Sequence, residues 1–507
     1  MISSLRSSWL FATCAALIAA TTVCHAQQAA TVAPAAESAT AAKLSLASIF
    51  SNHMVLQRDM KLPIWGEAAP GAKVAVQLAG KTQEATADAD GKWQVSVGPL
   101  KASKDPLELN VTAGDQSVHL TDVLVGDVWV ASGQSNMEWS VDRSDNPEKE
   151  IAAANWPEIR IVDVPNVTAD EPANSFETAG WKPVTPETLP KFSAVAYFFG
   201  RELHEHLDVP IGLIGCNWGG TPMEAWTSRE ALESSPTFKD DTAASFSPPS
   251  TTQVAEDRKA RAHHLPARLT NGMLAAVIPY GIRGAIWYQG ESNAGRHQHY
   301  AELSKLMITD WRNRWGQGEF PFLLVQLAAY EPGGETWPPL REAQQETLQL
   351  PKTGMAVAID IGHRTDIHPK DKQTVGKRLA LAARAIAHGE KIVHSGPVYR
   401  EMQAADGKAT LSFDSLGGGL KAEGDLRGFE IAGADGKFVP AKATIEGEHV
   451  VVSNKAVAEP KSVRYNWAAF PDGNLYNAEG LPAVPFRTSK QEAPAQPAKP
   501  AVAATRK

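Results

Sequence analysis

Cysteine is scarce in this chain of 507 residues: three are present, Cys14, Cys24 and Cys216, and the first two fall in a stretch read below as a leader. A mature chain left with Cys216 cannot close an intramolecular disulfide, so its stability must come from conventional cores. Cys216 lies at the end of an apolar strand pattern and reads as a buried structural thiol. Long apolar runs are missing as well. The run Trp9–Ala20 is too short to cross a bilayer. Basic stripes are absent: the formal net charge is −8 with Lys and Arg dispersed, which excludes a nucleic-acid partner and an anionic membrane surface. No His/Cys/Asp cluster has metal-ligand spacing, so neither a metal nor another cofactor is expected. Internal repeats are lacking too. What remains is a 43% hydrophobic composition, ample for globular domains.

The charged start and short apolar run of residues 1–26, with small side chains at Cys24 and Ala26, read as a signal peptide cleaved near Gln27. Neither Cys14 nor Cys24 follows a convincing lipobox, so no membrane anchor is expected. The expectation is a protein secreted through an inner membrane into the periplasm. Residues 27–43, rich in Ala, Thr and Pro, read as a disordered linker. Short alternating segments separated by turns predict a β-sandwich over 44–120. Apolar strands alternating with helical patterns predict an α/β domain with a parallel sheet over 121–392. It is interrupted by a polar insertion at 226–268, expected as a surface loop. Short strands return over 393–488 as a second β-sandwich, and 489–507 reads as a disordered tail.

Three motifs at strand ends carry the chemistry. In Gly126-Asp-Val-Trp-Val-Ala-Ser-Gly-Gln-Ser-Asn-Met137 an apolar strand runs into a turn with Ser135 at its tip. Met137 stands where a Gly-x-Ser-x-Gly elbow has its second glycine, which points away from the α/β-hydrolase architecture. Ile286-Trp-Tyr-Gln-Gly-Glu-Ser-Asn293 supplies amide donors and a carboxylate. The third runs from Ala356 to Pro369 and holds Asp360, His363, Asp366 and His368. Serine, amide donors and an Asp/His pair form the set of groups that acyl transfer requires.

Gly133-Gln-Ser-Asn-Met137, Trp287-Tyr-Gln-Gly-Glu-Ser-Asn293 and Asp366-Ile-His-Pro369 resemble the signatures of the sialate O-acetylesterase family, within the SGNH hydrolases. Asn217-Trp-Gly-Gly-Thr-Pro222, Leu269-Thr-Asn-Gly-Met273 and Tyr465-Asn-Trp-Ala-Ala-Phe-Pro471 extend the resemblance over nearly all of the chain after the leader. It implies a three-layer α/β/α domain flanked by β-sandwiches. It also implies a serine esterase removing acetyl groups from sugar hydroxyls, on O-acetylated sialic acid or on a plant polysaccharide such as xyloglucan. Ser135 would be the nucleophile and His368 the base, with Asp366 or Asp360 as its acid partner. The oxyanion would be held by N–H groups of Ser135 and of Gly219 or Gly220, and by the Gln289 amide, with Asn293 competing for that role. Asp127, Gln134, Asn136, Glu291, His363 and Trp467 would support these groups or face the substrate. The partner is then an acetylated glycan; oligomeric state is not readable. The rival reading is a catalytically silent glycan-binding protein on the same scaffold.

Overall fold

The computed structural model describes residues 43–489. The expected signal peptide, the linker apart from Lys43 and the tail apart from Ser489 lie outside the described residues.

One strand organises the molecule. β1 (Gln116–Gly133) is 18 residues long, partly exposed over its first half and continuously buried from Val123 onward. The first half pairs antiparallel with Ser103–Ala113 in the N-terminal domain. The second half runs parallel between Ile211–Asn217 and Gly284–Tyr288 in the central sheet. The change from a broken to a continuous apolar pattern marks where a sheet with one wet face becomes a sheet covered on both. β1 passes without interruption through residue 120, so the two domains share a strand where the sequence suggests a junction.

The remaining strands of the central sheet are β2 (Trp156–Asp163), β3 (Lys182–Val184), β4 (Ile211–Asn217), β5 (Gly284–Tyr288), β6 (Phe322–Gln326) and β7 (Thr353–Val357). Their order is β3-β2-β4-β1-β5-β6-β7, all parallel except β3, which is antiparallel to β2. The helices that matter for the site are α1 (Ala194–Leu207), α2 (Tyr300–Trp315), α3 (Trp337–Glu346) and α4 (Lys372–His388). Gly284 lies beside Trp129 in register, so Trp287, three residues on, points to the opposite face. Trp129 meets Phe199 of α1 at 5.0 Å and Trp287 meets Trp311 of α2 at 5.9 Å, so helices cover both faces. This is the three-layer α/β/α domain expected from the sequence. Chain order reverses around β1, which puts a crevice at its carboxyl end, the usual binding place in such sheets.

The insertion at 226–268 differs from the surface loop expected. It contains three short helices, Arg229–Ser234, Lys239–Phe246 and Thr252–Ala260. Ser228 and Thr251, which read as loop residues, are N-caps that accept the N–H of Ala231 and Val254. At the C-terminal end, the sheet of 398–405, 408–414, 442–446 and 449–453 faces a second sheet built from 429–432, 439–440, 462–465 and 486–487. Leu411 and Val450 from the first share one apolar cluster with Ile431 and Val463 from the second.

Candidate active site

At the carboxyl end of β1, Gly133 has φ +133°, and a Cβ there would overlap the Tyr288 carbonyl oxygen of β5. Only glycine lets the chain leave the sheet so close to its neighbour. The turn is fixed by Gln134 N–H donating to Tyr288 O at 3.0 Å, and by the Gln134 side-chain oxygen accepting from Ser292 N–H at 3.2 Å. Ser135 then begins a single helical turn, Ser135–Glu138, and remains partly exposed.

The His368 loop reaches this serine across 233 residues of sequence: His368 Nε2 lies 2.9 Å from Ser135 Oγ. The other ring nitrogen, Nδ1, is 3.5 Å from Asp366 Oδ1, too long for a strong hydrogen bond, and Asp366 also accepts the His368 backbone N–H at 2.9 Å. His363 shapes the loop, its Nδ1 accepting from the N–H groups of Thr365 and Asp366 at 3.3 and 3.0 Å. Trp139, four residues after Ser135, stacks on the His368 ring at 4.8 Å and 18°. Burial, then Lys372, lower the His368 pKa from its ordinary value against the pull of Asp366. A lowered value keeps the imidazole neutral, the form that can accept a proton.

Several expected partners are engaged elsewhere. Asp360 is held by Arg378 of α4 in a two-pronged pair at 2.6 and 2.8 Å, so Asp366 is the carboxylate beside His368. The Gln289 amide is fully buried and donates to Thr221 O and Asn293 Oδ1, while its own oxygen accepts from Tyr300. Asn293 donates to Glu224 and accepts from Met223 N–H. The Gln289 amide has both N–H groups engaged and cannot hold an oxyanion, and the Asn293 amide is turned to Glu224. They instead fasten the Asn217–Met223 segment, which carries Gly219 and Gly220, to the end of β5. Ser292 Oγ adds a bond to Gly220 O at 2.8 Å. Gly219 lies against the serine, a Cβ on it falling 3.3 Å from Ser135 Cβ, and its N–H donates to Glu138 Oε2 at 2.9 Å. Asp127 lies in β1 where its central-sheet half begins, eight residues before Ser135, bound by Arg58 and Arg283, and is a structural charge. Trp467 lies beneath Arg487, 4.9 Å from its ring centre.

Trp139 and Glu138 are parts of the site that motif reading passed over, although they directly extend the Gly-Gln-Ser-Asn-Met run; Lys372 opens the Lys-x-x-Val-Gly helix that follows His368-Pro369, a pattern that by itself gives the lysine no role. His263, expected on the surface, stacks on Trp218 at 5.0 Å, bringing the helical insertion beside the Gly219 turn. Cys216 is buried and free. Among the described residues no group of three or more His, Cys, Asp or Glu could hold a metal ion, and no helix is long and apolar enough to cross a membrane.

A serine in contact with a histidine at the crevice of a three-layer α/β/α sheet is the arrangement of a serine hydrolase. The match to known proteins is narrower. Residues 125–385 match the family described as carbohydrate esterase, sialic acid-specific acetylesterase. Sialate O-acetylesterases of Mus musculus and Homo sapiens are each 32% identical, covering 87% of this chain and 93% and 91% of theirs. A crystallised carbohydrate acetylesterase from Xanthomonas citri is 40% identical, with a TM-score of 0.81, over 88% of this chain and 100% of that one. The chain belongs to the sialate O-acetylesterase family, and the activity is that of a carbohydrate O-acetylesterase, a carboxylic ester hydrolase.

Proposed function

We propose that Ser135 and His368 carry out acetyl transfer through an acetyl-enzyme, with Asp366 orienting the base. The 2.9 Å contact between Oγ and Nε2 carries this reading. As Oγ attacks the acetyl carbonyl, its proton passes to Nε2; the tetrahedral intermediate collapses and the imidazolium protonates the departing sugar oxygen. Water, deprotonated by the same nitrogen, then releases acetate. The oxyanion is met by the N–H groups of Ser135 and Gly219, the latter exchanging the Glu138 carboxylate for the substrate oxygen. Trp139 keeps the imidazole plane aligned throughout.

The substrate in this reading is an O-acetylated glycan, either sialic acid or a plant polysaccharide such as xyloglucan. A cavity of about 750 Å³, lined by Asp360, Gly362, Arg427, Phe470, Asp472 and Tyr476, lies where the chain approaching His368 meets the C-terminal domain. The leader pattern supports action after export to the periplasm, and mass spectrometry of secreted protein is expected to give a mature N-terminus near Gln27. A protein retaining residues 1–26 would remove that expectation.

Acetate release from acetylated sialic acid, xyloglucan and xylan, measured beside Ser135→Ala, tests the chemistry. Turnover is expected to fall by on the order of three or more decades in the variant. Release that survives the substitution would exclude Ser135 as nucleophile.

A further inference from the structure

Behind the serine and histidine lies a polar cluster that the acyl-transfer steps do not use. Lys372, at the start of α4, is completely buried. Its ammonium donates to Asn136 Oδ1 at 2.6 Å and lies 5.2 Å from the Tyr288 ring centre and 5.9 Å from that of Trp139. The same Asn136 amide donates through Nδ2 to Glu291 Oε1 at 2.6 Å and to the Ile367 carbonyl at 3.0 Å. Asn136 directly follows the nucleophile and Ile367 directly precedes the base. This one amide therefore links the two reacting residues through their neighbours.

An asparagine amide can sit in two orientations, and its surroundings choose between them. An ammonium only donates, so it accepts contact with the amide oxygen and rejects the NH₂ group. Turned the other way, the Asn136 amide would face Lys372 with a donor and Ile367 O with an acceptor. Lys372 on the oxygen side, with Glu291 and Ile367 O on the NH₂ side, thus selects the orientation that fastens the base loop.

We propose that Lys372 is a positioning residue of the esterase: it locks the Asn136 amide so that the His368 loop stays against the nucleophile turn, and its charge favours the neutral imidazole. The inference rests on Ser135 and His368 acting as described above.

The charged groups facing His368 are Asp366 on its own loop, Lys372 on α4 and Arg143 on the turn after the nucleophile. Those facing Lys372 are Glu291 after β5, Asp366 on the base loop and Asp371 at the cap of α4. Burial lowers the Lys372 pKa to about 7 despite these carboxylates. Burial also raises that of Glu291. The sign follows: below about 7 the lysine is charged, and this is where an imidazole titrates, so the cation makes His368 release its proton more readily.

The test is the pH dependence of kcat/KM for p-nitrophenyl acetate in the full chain, compared with Lys372→Met and Lys372→Gln, both checked for native circular dichroism. The wild-type acid limb is expected below the ordinary imidazole value of about 6.5. In both variants it moves up by on the order of half a pH unit. In Lys372→Met, kcat falls on the order of tenfold while KM stays within about twofold, because the lysine touches no substrate. A limb that stays in place in the folded variants overturns the proposal. So does a wild-type limb at or above about 6.5, a result that needs no variant to fold. Wild-type protein inert toward every acetyl ester takes down the esterase reading and this one together.

Discussion

Asp366 meets His368 more loosely than a buried triad acid would. Its carboxylate is 3.5 Å from Nδ1, and its side chain is 45% exposed. Solvent competes for such a contact, so Asp366→Asn is expected to lower kcat on the order of tenfold, against the ~10⁴-fold loss typical of an enclosed triad aspartate. A loss as deep as that of His368→Ala in steady-state kinetics would mean the contact tightens on substrate binding. Glu138 makes a second expectation. Its carboxylate occupies the Gly219 N–H through a charge-assisted bond that substrate has to replace. Glu138→Gln weakens that bond, and kcat/KM for a small acetyl ester is expected to rise by a factor of about two to ten, the span of roughly 1 kcal/mol. A fall would assign the carboxylate to aiming the N–H instead. Ser135 and His368, the groups proposed to make and break bonds, are legible in the sequence because they sit in compact local motifs. Glu138 and Lys372 are not, since their partners lie 81 and 236 residues away and only folding brings them together.

The turn after β5 shows why residue type alone misassigned the amide donors. Gln289 and Asn293 look like free donors at a strand exit, yet whether an amide is already engaged depends on segments far along the chain. Their bonds make this turn a clamp on the Gly219–Gly220 segment. Gln289→Ala leaves Thr221 O short of a buried partner, while the Tyr300 hydroxyl keeps the residue 289 backbone carbonyl, so chemical denaturation is expected to show a loss of about 1–3 kcal/mol. Activity should drop further than the folded fraction does, because Gly219 loses its anchor. Unchanged kcat in the folded variant would show that the segment holds its place without the clamp. The insertion was misread for a related reason: capping serines and threonines belong equally to loops and to helix starts.

At the scale of the molecule, Asp127 fastens the domains together. It receives Arg58 and Gln57 from the N-terminal domain and Arg283 from the approach to β5, with His388 of α4 3.5 Å away. Burial alone would raise its pKa, but Arg58, Arg283 and His388 outweigh it and hold the carboxyl below its ordinary value. Its stabilisation is therefore complete above about pH 4, the unfolded-state value, and is lost as pH falls through the lowered one. Asp127→Asn removes the buried carboxylate that the partly exposed guanidinium groups of Arg58 and Arg283 share, and urea denaturation at neutral pH is expected to show a loss of about 1.5–3 kcal/mol. A change under about 1 kcal/mol would mean that the surrounding cations find water instead. The shared strand has one more consequence. Because β1 passes from the first domain to the Ser135 turn without a hinge, a dye attached at exposed Lys81 would tumble with Ser135, and its polarised emission would decay with the rotational time of the whole particle.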